Sequence, residues 1–281
     1  MNRLYIEPVG GLANRMRVIA SALEFKKLYE CEVFCVWTEY SGLNAPFQEL
    51  FEDVDGLNII PKSKKYKKLK STIQTNIFFR LLAKIFNKLL GFDYYIPSGD
   101  VEKLVKTNML YDIIRNNKGA IYIQSYMIDY KWDTEHLKSI FRPIKTIMEK
   151  VESIYCKFSQ YSEVVGLHIR RTDNKVAIVS SPIELFINEI EKKIKENDNV
   201  GLFLATDDKE IEYLLIKLYP GKIIVSQKNL SRNSLEGIQD AIVDMFCLSK
   251  TSMIYGSYWS SFSTVSGKIS GVDCIRLQKK E

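Results

Sequence analysis

The stretch Val164-Val165-Gly166-Leu167-His168-Ile169-Arg170-Arg171-Thr172-Asp173 sets a continuous apolar run against an abrupt run of charge. Such a run, short and rich in β-branched residues, reads as a strand buried on both faces, which is the environment of a parallel sheet. Working outward from it, strands and helices alternate. Ser181-Pro182-Ile183-Glu184 has the form of a capping box with proline at the first helical position, opening a helix to about residue 195. Residues 202–205 form the next apolar strand, and Ile211, Leu214, Leu215 and Leu218 share one helix face that stops before Pro220-Gly221. A strand over 223–225, a helix marked by Ile238, Ile242, Met245 and Phe246, and a strand over 253–255 continue the series. A short helix from Phe262 to about 269 and a last strand over 274–277 complete it. This alternation predicts a doubly wound parallel sheet.

The N-terminal part begins in the same way. A strand over 4–6 meets Pro8-Val9-Gly10-Gly11, and Met16, Ile19, Ala20 and Leu23 then follow helical spacing to about Tyr29, before a strand over 33–37. This is a βαβ unit with a glycine turn at the strand-to-helix switch. Residues 62–92 differ in character. Lys62-Ser63-Lys64-Lys65-Tyr66-Lys67-Lys68-Leu69-Lys70 leads into Ile77-Phe78-Phe79-Arg80-Leu81-Leu82-Ala83-Lys84-Ile85-Phe86-Asn87-Lys88-Leu89-Leu90, a basic amphipathic helix candidate. The simplest expectation is a helix packed on its own domain with a solvated lysine edge. The alternative is contact with an anionic membrane or a lipid-linked acceptor.

Composition sets broad limits. The 281 residues suffice for two domains, and 46% apolar with 26% charged residues is ordinary for a globular chain. A formal charge of +6 favours anionic ligands without demanding nucleic acid, and the lysine run lacks the interleaved aromatic residues of a polynucleotide groove. Cys31, Cys35, Cys156, Cys247 and Cys274 form no zinc-type or paired spacing, so reduced, mostly buried thiols are expected. Residues 1–6 run directly into a strand with no cleavage-like region, and no apolar run reaches the ~20 residues that span a bilayer. A cytoplasmic protein, peripheral to the membrane if the 62–92 segment engages it, is the expectation.

In an open parallel sheet, ligands bind beyond the carboxyl ends of the strands. His168, Arg170, Arg171 and Asp173 follow the first strand of the second half, Thr206, Asp207 and Asp208 the second, and Ser257, Ser260, Ser261 and Phe262 the fourth. Arginine pairs bidentately with diphosphate oxygens and stays charged at any working pH, which suits a departing nucleoside diphosphate. Asp207-Asp208 invites a magnesium reading, but the pair is adjacent rather than spaced, and one member has the position of a helix cap; no metal site is expected. Gly10-Gly11 offers backbone N–H groups at a helix start, and Asn14 and Arg15 project from its first turn.

With these residues the sequence resembles a known family. Gly166-Leu167-His168-Ile169-Arg170-Arg171-Thr172-Asp173 resembles the arginine motif of the α-1,6-fucosyltransferases of core and nodulation-factor type. Leu204-Ala205-Thr206-Asp207-Asp208 is similar to their second motif, and Asp244-Met245-Phe246-Cys247-Leu248-Ser249 with Ser260-Ser261-Phe262-Ser263 to their third. Gly10-Gly11-Leu12-Ala13-Asn14-Arg15 is similar to the glycine-asparagine loop of the wider fucosyltransferase superfamily. The resemblance implies an α/β GT-B fold: two Rossmann-like domains with a cleft between them, an acceptor-side domain over 1–150 and a donor domain over 151–281. It implies inverting, metal-independent transfer of L-fucose from GDP-fucose to a glycan hydroxyl, with no cofactor, in surface-polysaccharide or glycoconjugate assembly. By the same resemblance Arg170 holds the diphosphate with Arg171 in support, and His168 and Asp244 lie near the guanosine. Asp207 and Asp208 lie near the nucleotide, Ser260 and Ser261 contact phosphate, and Gly11, Asn14 and Arg15 face the donor across the cleft.

One departure leaves the acceptor side open. Core-type enzymes carry a lysine after the motif aspartate and an acid shortly beyond it. Here Asn174 follows Asp173, and Ala177-Ile178-Val179 holds no acid. Glu7 is then the candidate base, unless the leaving phosphate takes the proton in a loose, oxocarbenium-like transition state. Two alternatives remain: a different nucleotide-sugar donor, and a catalytically silent nucleotide- or glycan-binding protein.

Overall fold

The computed structural model describes residues 2–128, 130, 134–172 and 175–279. They form two compact units, Met1–Phe47 with Asp53–Phe141, and Gln48–Glu52 with Arg142–Glu281. The first contains β1 (Arg3–Pro8), α1 (Leu12–Tyr29), β2 (Glu32–Trp37), β3 (Leu57–Pro61), α2 (Ile77–Leu89), β4 (Tyr94–Ile96), α3 (Ser98–Lys106), α4 (Met109–Asn116), β5 (Ala120–Ser125) and α5 (Thr134–Ile140). Its five strands are all parallel, in the order β3-β2-β1-β5-β4. The second contains α6 (Lys145–Tyr155), β6 (Glu163–Ile169), α7 (Lys175–Ser180), α8 (Ile183–Glu196), β7 (Val200–Thr206), α9 (Lys209–Leu218), β8 (Ile223–Ile224), α10 (Leu235–Leu248), β9 (Ile254–Ser257), α11 (Ser261–Ser270) and β10 (Cys274–Leu277). Its five strands are also parallel, ordered β10-β9-β6-β7-β8. The second sheet is the parallel architecture the alternation predicts, and the presence of two such sheets is what the family resemblance implies.

The strand that ends at Ile169 is the middle strand of the second sheet. β6 pairs with β7 from Glu163↔Val200 to Ile169↔Thr206, and with β9 through His168↔Gly256. Alternate side chains enter different layers. Val165, Leu167 and Ile169 join Phe186, Ile190, Leu204 and Leu215 in one core. On the other face a Cβ at Gly166 would stand 2.8 Å from Thr251 Oγ1 and 2.9 Å from Leu248 Cδ2, so the strand needs glycine where the end of α10 comes close.

The division between the units falls earlier than residue 150. Ile147, Val151 and Ile154 make the buried stripe of α6, which packs on α10 in the second unit, and Lys150 reaches Asp240 at 2.9 Å. A helix belongs to whichever core receives its apolar stripe. Ser181 is not the cap of α8 either. Pro182 occupies the cap position, while Ser181 Oγ donates to the Leu277 carbonyl and accepts from the Tyr258 amide, tying the start of α8 to the ends of β9 and β10. In the first unit, α2 does not bury its apolar face against its own domain. Ala83 and Asn87 are its buried residues.

Candidate functional site

At the carboxyl end of β6 the chain leaves the sheet at Arg170, whose backbone N–H donates to Ser257 Oγ at 3.0 Å. This bond extends the β6–β9 pairing beyond its last ladder position. The organising group is Asp207, just past β7. Its Oδ1 accepts from the Arg171 backbone N–H at 2.7 Å, and its Oδ2 accepts from the Thr172 hydroxyl at 2.7 Å. Arg170 Nε lies 3.4 Å from the same Oδ2, and Arg232 reaches it at 3.9 Å. The hydrogen bonds from Arg171 and Thr172, with the charge of Arg170, hold the Asp207 carboxyl below its ordinary range although burial opposes them. One carboxylate thus fixes the turn after β6 and orients the Arg170 guanidinium.

The adjacent carboxylate has a different job. Asp208 caps α9, accepting from the Glu210 N–H at 2.8 Å, while Thr206 Oγ1 accepts from the Asp208 N–H at 3.3 Å. With Asp207 committed to the turn and Asp208 to the helix, the pair does not converge as metal ligands. Among the described residues no three histidine, cysteine or carboxylate groups do so.

His168 stacks on Phe262 of α11, ring centroids 4.8 Å apart and planes 21° from parallel. Burial, reinforced by the charge of Arg170 and then by Lys228 and Arg232, pushes its pKa down to about 3. The ring is neutral at any working pH, and its buried Nδ1 has no hydrogen-bond partner among the described residues. It offers a flat, uncharged surface beside a cationic group rather than a second cation. Arg171 turns the other way, as strand alternation predicts: its Nη2 donates to the Ser181 carbonyl at 2.7 Å. It braces the turn instead of facing the same side as Arg170.

Lys228 and Arg232 follow β8, a strand end at which the sequence alone marks no candidate residue. Lys228 forms a buried pair with Asp244 at 2.7 Å, and Ser226 donates to the same carboxylate. Burial pushes the Asp244 carboxyl up from its usual value, against the pull of Lys228 and Ser226. Asp244 is therefore closed by an internal partner and is not an open acceptor for a ligand. Ser260 occupies the cap position of α11 with no side-chain cap bond of its own, and Ser261 begins the first turn. A helix start of this kind presents backbone N–H groups to anions. The loop before it holds Trp259 at φ 58°, a left-handed conformation unusual outside glycine. Gly256 lets α11 approach, since a Cβ there would overlap Ser263 Oγ. Asp173 lies outside the described residues.

The glycine loop of the first unit is built differently. Gly10 takes φ 85°, and Gly11 sits at the cap of α1 with open space where a Cβ would stand. Asn14 Oδ1 accepts from Arg17 at 2.9 Å. Arg15, expected to project toward a ligand, is 0% exposed. Its Nε donates to the Gly10 carbonyl at 3.1 Å and its Nη1 to the Thr38 carbonyl at 2.7 Å. The guanidinium lies over the rings of Trp37 and Tyr40, at 4.6 and 4.9 Å. It holds the loop from inside, with a pKa lowered by burial. Glu7 is 3% exposed, and both its oxygens are engaged, one by Lys62 at 2.6 Å and one by the Tyr122 hydroxyl at 2.7 Å. That is a buried structural pair, not a carboxylate facing an acceptor.

No known family profile matches the chain. Solved structures do resemble it over nearly its whole length. The α-1,6-fucosyltransferase NodZ soaked with GDP-fucose superposes with a TM-score of 0.66 at 16% identity, over 96% of this chain and 93% of that one; NodZ was also solved from Bradyrhizobium. FUT1 from Arabidopsis thaliana in complex with GDP gives 0.66 at 14% identity, over 99% of this chain and 70% of that one. POFUT1 in its apo form gives 0.60 at 12% identity, over 98% and 97%. At such identities the likeness speaks for architecture. The chain has the α/β fold of the GT-B fucosyltransferases.

Proposed function

We propose that this protein is a glycosyltransferase that transfers L-fucose from GDP-fucose to a glycan hydroxyl, with inversion at the sugar and without a metal. The observation that carries the reading is the arrangement at the end of β6, where Asp207 orients Arg170 beside the neutral His168–Phe262 stack. In this reading Arg170 receives the charge that grows on the β-phosphate as the sugar–oxygen bond breaks, and the stack borders the nucleoside. The first turn of α11 adds backbone N–H groups for the diphosphate. Positioned cationic and N–H donors aimed at a leaving group are an effective form of transition-state stabilisation. Several structural relatives were solved with GDP or GDP-fucose, which supports the same donor here.

The acceptor side follows from what is spent elsewhere. Glu7 is engaged by Lys62 and Tyr122, and α7 carries no acid. The reading therefore gives the leaving diphosphate the acceptor's proton, through a loose transition state. An acceptor in surface-polysaccharide or glycoconjugate assembly on the cytoplasmic side completes the proposal. The test follows nucleoside diphosphate release from a panel of labelled sugar nucleotides, each with and without glycan acceptors and with and without chelator. GDP release that is specific to GDP-fucose and survives chelator is expected. Consumption of another donor would replace the sugar, and tight GDP binding with no turnover would make this a binding protein.

A further inference from the structure

The helix α2 presents three stripes of different chemistry. Phe78, Leu81, Leu82, Ile85 and Leu89 follow i, i+3, i+4, i+7 spacing, and all point outward, Phe78 64% and Leu89 82% exposed. Arg80, Lys84 and Lys88 form a cationic stripe along one flank. The stripe that meets the protein consists of Ala83 and Asn87. A surface helix ordinarily turns its apolar stripe inward. Here a methyl group and an amide face the domain while large side chains face out, so the pattern is satisfied only by an apolar phase outside this unit.

A second feature ties this helix to the lysine run. The buried Asn87 accepts from the Lys70 N–H at 2.9 Å and donates to the Lys70 carbonyl at 2.7 Å, a paired bond that fastens α2 to the segment Lys62–Lys70. Lys64, Lys67, Lys68 and Lys70 are exposed and make no ion pair among the described residues. Residues 56–92 contain no aspartate or glutamate. The apolar face is thus accompanied by the positive charge of Lys64, Lys67, Lys68 and Lys70, held in fixed relation to it, while Lys62 pairs with Glu7 and Lys88 with Asp93.

We propose that α2 lies in the plane of an anionic lipid bilayer surface, its Phe78–Leu89 face among the acyl chains and the neighbouring lysines on the headgroups. At thirteen residues the helix is too short to span, and among the described residues no helix is long and apolar enough to cross a membrane. It has the build of an interfacial helix, in which apolar burial and attraction to anionic lipid act together. A second copy of the chain fits the charge less well, because apposed faces would bring Arg80, Lys84 and the lysine run of two copies together, and the nearby Asp93 is already engaged by Lys88. The inference does not depend on the donor reading, since its readout involves no turnover.

The test is co-sedimentation of the full chain with phosphatidylcholine vesicles, alone or with about a third phosphatidylglycerol. The wild type is expected to partition at least about tenfold more strongly onto the anionic vesicles, and to be released by high salt. The double variant Phe78→Ser with Phe79→Ser should lose about tenfold or more, as should Lys64→Glu with Lys67→Glu and Lys68→Glu. All five positions are exposed, so unchanged thermal melting will confirm that the fold stands. The proposal is overturned if the wild type ignores anionic vesicles, or if both variants bind as it does. It is equally overturned if the wild type self-associates without lipid and Phe78→Ser with Phe79→Ser abolishes that association, since the face then belongs to a second copy.

Discussion

Two strand-to-helix switches in this molecule carry arginines, and they use them in opposite ways. After β1, Arg15 folds back under its own loop, fully buried between Trp37 and Tyr40 and bonded to the Gly10 and Thr38 carbonyls. After β6, Arg170 remains at a partly open edge, 18% exposed and steered by Asp207. An arginine held by two main-chain carbonyls beneath aromatic rings supports a turn. An arginine steered by a carboxylate at the partly open mouth of a parallel sheet stands where an anion can approach it. Position after a strand does not decide between these outcomes; the partners do.

Substitutions at the two switches should therefore fail in different ways. Arg170→Ala is expected to lower kcat/KM for donor turnover about 10³-fold, roughly 4 kcal/mol, with an unchanged melting curve. Loss of folding in that variant would erase the contrast. Arg15→Met should do the reverse, destabilising by about 3 kcal/mol through two orphaned carbonyls and lost ring contacts, with kcat little altered at temperatures where the protein is folded. Chemical denaturation beside single-turnover kinetics separates the two. Asp207→Asn keeps an acceptor for the turn but removes the charge that orients Arg170, so turnover should fall about thirtyfold, roughly 2 kcal/mol, while GDP affinity changes less.

Smaller effects sharpen the comparison. Glu7→Gln leaves Lys62 without its partner, and Lys62 is exposed enough to regain water, so a stability loss of about 1–2 kcal/mol is expected with kcat unchanged. A collapse of kcat at full folding would restore Glu7 as a base. His168 tests the electrostatics of the β6 switch alone. Its folded pKa of about 3 lies below the ordinary 6.5, so the unfolded chain binds its proton first as pH falls. The stability it contributes is complete above about 6.5 and is lost as pH drops toward 3. In His168→Gln the decline of melting temperature across that window should be shallower; an identical acid limb would show that another group sets it.

Much of the second unit was readable in one dimension because its signals are local. The apolar run ending at Ile169 had to be a strand buried on both faces, and the 274–277 strand was located to the residue. In the first unit the strands were legible only through β2. Residues 57–61, 94–96 and 120–125 are strands, and Tyr95 and Tyr122 from two of them join Tyr5, Tyr66 and Phe92 in one aromatic cluster. Short strands interrupted by short helices give no clean period, so spacing alone did not reveal them. The boundary near residue 150 missed for a related reason, since the stripe Ile147, Val151, Ile154 shows that α6 must pack without showing on what.

The sequence by itself determined the parallel sheet of the second unit, the opening βαβ of the first, the polar residues at their strand ends and the amphipathic character of residues 77–89, because alternation, chain direction and helical spacing are properties of neighbours along the chain. Only the tertiary structure decided what each charged group does. Arg15, Arg170 and Arg171 are chemically identical, yet one lies beneath two rings, one beside Asp207 and one against the Ser181 carbonyl. Asp207 orients a turn while Asp208 caps a helix. The apolar stripe of α2 was legible as a stripe, but its outward direction depends on Asn87 finding both backbone groups of Lys70. A charge takes its role from the partners that replace its water, and those partners come from elsewhere in the chain.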